Sequence, residues 1–221
     1  MGITAGLCYD GVGRAMSTVR IPLFPLNVVL FPDQTLPLHI FEPRYREMTR
    51  HCLESRSAFG LIFVHAGQLF HTGCSARIMK KIKDYEDGRS DIVTIGERVF
   101  NLIDKYDEKS YYEGDVDFVE DDFANLDASV TADLALLFRS CHQSLYQSTP
   151  APFEARRGKS FAYHVASELP LDDQFRQTLL EERSEAQRQR LLAMRLATWY
   201  PQLEKREHVR VKATGNGHST L

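Results

Sequence analysis

Residues 20–32 read RIPLFPLNVVLFP, an apolar run punctuated by Pro22, Pro25 and Pro32. Each proline lacks an N–H and restrains the residue before it, so no helix can pass through this run. Ile21, Leu23, Phe24, Leu26, Val28, Val29, Leu30 and Phe31 are too apolar for a solvated loop. The run therefore predicts short buried strands broken at the prolines. A β-rich start to the fold follows from this alone.

The pattern downstream extends it. Residues 36–40 read as another strand, and Pro43 fits the first turn of a helix through about Leu53. Residues 59–64 form a buried strand by length and composition. A long strand over 73–86 places Ala76, Ile78 and Ile82 on one face, and Asp87-Gly88 predicts a hairpin turn with both residues at positive φ. Strands over 91–95, 98–106 and 111–119 follow, the last with Tyr112, Val116 and Phe118 opposite Glu113, Asp115 and Asp117. Short turns between so many strands imply a closed or nearly closed β-barrel.

After Phe123 the period changes. Asp127 can cap a helix carrying Val130, Leu134, Leu137, Phe138, Cys141 and Leu145. Ser160 caps a second helix that Pro170 ends, and a third spans 172–181. A fourth opens on the capping box Ser184-Glu-Ala-Gln187, buries Leu192, Leu196, Trp199 and Leu203, and is kinked or shortened by Pro201. The predicted fold class is α+β. Its predicted domains are a loose tail over 1–19, a β-barrel over 20–123, a helical bundle over 124–207 and a loose tail over 208–221. Met16 offers a second start besides Met1.

Composition narrows the function. With 43% hydrophobic and 26% charged residues, the 221-residue chain is an ordinary globular one. Its 27 basic against 30 acidic residues leave a formal charge of -3, which argues against nucleic acid. No apolar run approaches the ~20 residues that cross a bilayer, so no membrane is expected. Cys8, Cys52, Cys74 and Cys141 include no C-x-x-C pair and read as reduced thiols of a cytoplasmic protein.

Residues 21–46, IPLFPLNVVLFPDQTLPLHIFEPRYR, closely resemble the opening of the Lon substrate-binding (N-terminal) domain family. The likeness continues through Phe59-Gly60, His71-Thr-Gly73, Ala76-Arg-Ile78, Asp87-Gly88-Arg89 and Ile92 to Arg98, and more weakly through Gln177 to Glu181 and Arg190-Leu191. The HIFEPRYR form is most similar to stand-alone bacterial members and to the corresponding domain of cereblon. The resemblance implies a PUA-like β-barrel followed by a helical bundle. Lon proteases carry an AAA+ ATPase and a Ser-Lys peptidase after this domain, and neither motif is expected here. Gly158-Lys159-Ser160 lacks the earlier glycine of a Walker A loop, because Phe153 stands in its place.

Other clusters point to little chemistry. His65, His71 and Cys74 lack a fourth ligand at zinc spacing, and the acidic run from Glu113 to Asp122 lacks the glycine and distal Glu of a calcium loop. No metal and no cofactor are expected. Glu42, Arg44, Tyr45 and Arg46 form the most informative polar group. Either Glu42 and the arginines fix the helix start and its loops, or Arg44, Tyr45 and Arg46 edge a groove with Phe31 as an apolar anchor. The expected function is a non-enzymatic module that binds unfolded or apolar protein segments, as an adaptor or weak holdase. A protease is one candidate partner. The alternative is a small hydrolase with an unrecognised site.

Overall fold

The structure, a computed structural model, describes residues 7–9, 15–156 and 158–215, with side chains described over 18–156 and 158–205. By its internal contacts the chain divides into two compact units. Residues 1–120 and 172–181 form the first, and residues 121–171 and 182–221 the second. The α+β reading is correct. No helix among the described residues is long and apolar enough to cross a membrane.

The first unit opens with a small antiparallel pair, β1 (Leu7–Tyr9) and β2 (Ala15–Ser17), inside the span expected to be a loose tail. Next come β3 (Val19–Leu26), β4 (Thr35–Ile40), α1 (Pro43–Ser55), β5 (Phe59–His65), β6 (Gln68–Asp84), β7 (Ser90–Tyr106) and β8 (Glu113–Phe118). The sheet runs β4-β7-β6-β5-β3-β8, and a further β7–β8 pairing closes five of its strands into a circuit. Within it, Ile21, Leu23, Ile62, Phe100, Leu102 and Val116 share one apolar cluster. Gly60 and Gly73 make room for the Phe100 ring, since a Cβ on either would come within 2.8 or 2.5 Å of it.

The prolines do not break β3. Its residues 19–22 pair only with β8, antiparallel, and its residues 23–26 only with β5, in parallel. A strand with one neighbour leaves alternate N–H groups unpaired in any case, so Pro22 and Pro25 fit without a gap in the ladder. Residues 91–95 and 98–106 likewise join into one long strand, β7.

The long hairpin departs from the expected alternation as well. Register shifts between Ile78 and Lys80, and between Lys81 and Lys83, insert Met79 and Ile82 as bulges. A bulge rotates the residues after it. Ala76 is accordingly buried while Ile82 is 60% exposed, and the two do not share a face. At the tip only Gly88 has positive φ, and its N–H donates to Tyr85 O at 2.9 Å. This is a wider loop with one left-handed glycine, rather than the two-residue turn expected.

In the second unit, α2 (Ala128–Tyr146) is capped by Asp127, which accepts from Ser129 N at 2.9 Å. Ser160 caps α3 (Phe161–Glu168) through Tyr163 N at 3.0 Å. Ser184 receives Gln187 N at 3.4 Å at the head of α5 (Glu185–Gly215). Pro201 does not end α5, which continues into the span expected to be a loose tail. α4 (Asp173–Glu181) groups with the strands of the first unit rather than with these helices.

Candidate functional site

The groove expected around Phe31, Arg44, Tyr45 and Arg46 is not assembled. Phe31 has no exposed surface. The Arg176 guanidinium lies 4.7 Å above its ring, and Gln34 Oε1 accepts from both Phe31 N and Arg176 Nη2 at 3.1 Å. Gly96 packs so closely that a Cβ there would lie 2.1 Å from Phe31 O. Phe31 is a core residue and offers no anchor to a ligand.

Tyr45 is also buried, at 6% exposure, with its ring centroid 4.1 Å from that of Phe24. Burial pushes its phenol above the ordinary tyrosine range. A signal for this was present in the sequence. Tyr45, Met48, Thr49 and Cys52 recur at helical spacing and form the buried stripe of α1. Successive helical residues point about 100° apart, so Arg44, Tyr45 and Arg46 cannot edge one groove. Arg44 turns to Glu42, 2.7 Å away, and its guanidinium covers the outer face of the Tyr45 ring at 4.6 Å. Glu42 stands at the N-cap of α1 but makes no side-chain hydrogen bond to the helix backbone, so its carboxylate is engaged by Arg44 instead.

Of the four, Arg46 lines a concavity. It sits beside Gly88, where an added Cβ would strike its guanidinium, and its charge helps hold Asp87 below the ordinary carboxylate range after the hydrogen bonds from Arg89. The cleft it lines, about 440 Å³, lies between α1 and the β6–β7 hairpin. A second hollow of about 220 Å³ adjoins it along α1, bounded by Cys52, Leu53, Arg56, Arg77 and Ile78. Leu53 belongs to both. The sequence reading missed this groove because its far wall is β6, distant in the chain.

On the exposed sheet face, His39 Nδ1 stands 2.6 Å from Asp91 Oδ1, and the Tyr85 hydroxyl donates to Asp91 Oδ2 at 2.8 Å. These bonds, that from His39 foremost, hold the Asp91 carboxyl below its ordinary range. No serine, threonine or cysteine bonds to the His39 ring among the described residues. Cys141 is buried, and burial pushes its thiol up to about 11, well away from reactivity. Among the described residues, no group of three His, Cys, Asp or Glu side chains could hold a metal ion.

The model of the ATP-dependent protease La (LON) substrate-binding domain matches residues 20–198. The chain belongs to this family. As a Lon substrate-binding domain it is similar, at 26% identity and a TM-score of 0.61, to a Lon N-terminal domain protein from Xanthomonas campestris. That likeness covers 82% of this chain and 98% of the other. The N-terminal domain of a Mycobacterium avium complex Lon protease shares the fold at 15% identity and a TM-score of 0.59, over 81% and 98% of the two chains. Lon protease 2 of Herpetosiphon aurantiacus is 25% identical over 215 residues. The match takes in 88% of this chain but only 26% of that curated relative's length.

Proposed function

We propose that this chain is a non-enzymatic recognition module that holds unfolded or partly folded segments of other proteins, as an adaptor or weak holdase. The observation that carries the reading is its membership of a substrate-binding family over residues 20–198. Gly158-Lys159-Ser160 serves the same reading, since Ser160 spends its hydroxyl on the N-terminus of α3. Cys52, Cys74 and Cys141 are buried thiols outside any disulfide, which suits a reducing cytoplasm.

The test is a titration of one labelled client protein in its native form and in a reduced, permanently unfolded form. The unfolded form binds with a Kd of about tens of micromolar, because ordering a flexible client offsets much of the contact energy. The native form does not bind. The purified protein neither hydrolyses ATP nor cleaves casein. Turnover that follows this chain through purification and dies with a point mutant in it replaces the module with an enzyme.

A further inference from the structure

β6 is longer than its neighbour β5. β5 pairs with residues within 68–76, whereas β7 pairs along residues 72–84. From residue 77 to residue 84 the strand therefore has a partner on one side only. Because Met79 and Ile82 are bulges, the stretch lies opposite only residues 90–95 of β7. At ~3.3 Å per residue it extends about 17 Å, enough for about five or six residues of a further strand. α1 flanks this open edge across the two adjoining hollows already described.

We propose that the groove between α1 and the open edge of β6 binds an extended, carboxylate-bearing segment of a partner protein, which adds to β6 as a further strand. The inference rests on the reading of this chain as a protein-binding module and gives that module a site and a ligand chemistry.

The backbone supplies the first argument. Along an edge strand every second N–H and C=O lacks a partner, and an added strand satisfies them whatever its side chains. Such main-chain pairing suits a module that must accept varied sequences. Charge supplies the second. A protein with a net charge of -3 places Arg77, Lys80, Lys81 and Lys83 along this one stretch, and Arg46 and Arg50 on the facing helix. Asp84 balances Lys81 at 2.9 Å and Glu97 pairs with Arg77, but Lys80 and Arg50 enter no ion pair among the described residues. Carboxylates on an incoming strand would pair with them.

A third observation comes from the groove wall. Thr49 lines it, is only 3% exposed, and its hydroxyl has no hydrogen-bond partner. A buried unpaired hydroxyl costs free energy that a ligand's polar group can recover. Met79 and Ile82, 54% and 60% exposed, give the same stretch apolar contacts beside its charges.

The charge pattern also discriminates among occupants. Edge-to-edge pairing of two copies would set lysines against lysines, which disfavours a second copy of this chain. Glu47 and Glu54 stand among the arginines of the helical wall. Their interruption disfavours the continuous charge of a polyphosphate backbone, while spaced carboxylates on a peptide fit between them.

The experiment uses the full chain and a labelled ten-residue peptide of alternating Asp and Val, read by fluorescence anisotropy. Its Lys-Val counterpart and an Asp-Val peptide N-methylated along one edge serve as comparisons. We expect each comparison peptide to bind at least tenfold more weakly than the parent. Arg50→Glu with Lys81→Glu should weaken the parent at least tenfold with an unchanged thermal melt, and bound peptide should slow amide exchange within residues 77–84. Equal binding of the Asp and Lys peptides, no effect of N-methylation, protection at another edge, or displacement by a single-stranded oligonucleotide overturns the proposal. If the double variant fails to melt cooperatively, the N-methylated peptide decides, since it leaves the protein untouched. An unfolded client that binds wild type and double variant equally overturns the groove while the binding-module reading stands. Absence of binding by both unfolded client and peptide overturns both.

Discussion

Phe31 shows what a buried aromatic ring does in this fold. It fills the core from one side and carries the Arg176 guanidinium on the other, so its removal leaves a void under a charge. Phe31→Ala should lower stability by about 3–5 kcal/mol in urea unfolding, and any loss of client binding should follow the fraction unfolded. Binding that falls while stability holds would restore Phe31 as a ligand anchor. A different residue sets an acid limit. Asp115 accepts from Arg20 Nε at 2.9 Å, and that bond, aided by the Tyr106 hydroxyl, holds its carboxyl below the ordinary range. The folded state then keeps Asp115 ionised where the unfolded chain, at about 3.9, takes up a proton. Its stabilisation is complete above that value and is lost as pH falls through the lower folded value. Asp115→Asn should be less stable than wild type at neutral pH, with the gap closing below about pH 4 in pH-dependent denaturation. A gap that stays constant with pH would show that the loss is one of packing. At this scale the sequence was legible only where the signal was periodic. The stripe of Tyr45, Met48, Thr49 and Cys52 announces burial, but nothing local announces that Arg176, 145 residues further on, covers Phe31.

Elements divide along the same line between local and distant causes. Asp127, Ser160 and Ser184 cap the helices that follow them, and each cap was readable because donor and acceptor lie within three residues. Asp127→Ala should cost about 1 kcal/mol, measurable by thermal melting, with little effect on the strands. The change of partner within β3 was not readable, since β5 and β8 reach it from distant parts of the chain. Nor were the bulges of β6, which are defined only by its register against β7. Gly96 shows how tightly such distant elements meet. It exchanges backbone hydrogen bonds of 2.9 Å with Asp33 and Gln34, and a Cβ on it would run into Phe31 O. Gly96→Ala must move backbone rather than a side chain, so we expect a loss of about 1–3 kcal/mol in urea unfolding. A neutral outcome would show that the 31–34 turn can yield at no cost.

At the scale of the whole molecule the chain crosses between its two units three times, because α4 is an excursion. The path leaves the strand-rich unit after Glu120, returns for residues 172–181, and leaves again at Glu182. The reason lies in α4's own side chains. Arg176 is 7% exposed and donates to Val29 O at 3.0 Å, and Gln177, 1% exposed, donates to Thr72 O at 3.0 Å. Burial lowers the Arg176 pKa, an unfavourable environment tolerated because Val29 O, Gln34 and the Phe31 ring face the guanidinium. Without α4, Phe31 loses its cover and the carbonyls of Val29 and Thr72 lose these donors. A fragment of residues 18–120 contains every strand of the large sheet, and by strand content alone it would pass for a complete domain. We expect instead that it melts without cooperativity, and that the same fragment with residues 172–181 tethered to it regains a sharp transition. Two-state unfolding of residues 18–120 alone, at the midpoint of the intact protein, would show that α4 is an ornament on the sheet. The recovery by tethering separates the two cases, because a helix that merely rests on a finished core cannot restore cooperativity that was never lost.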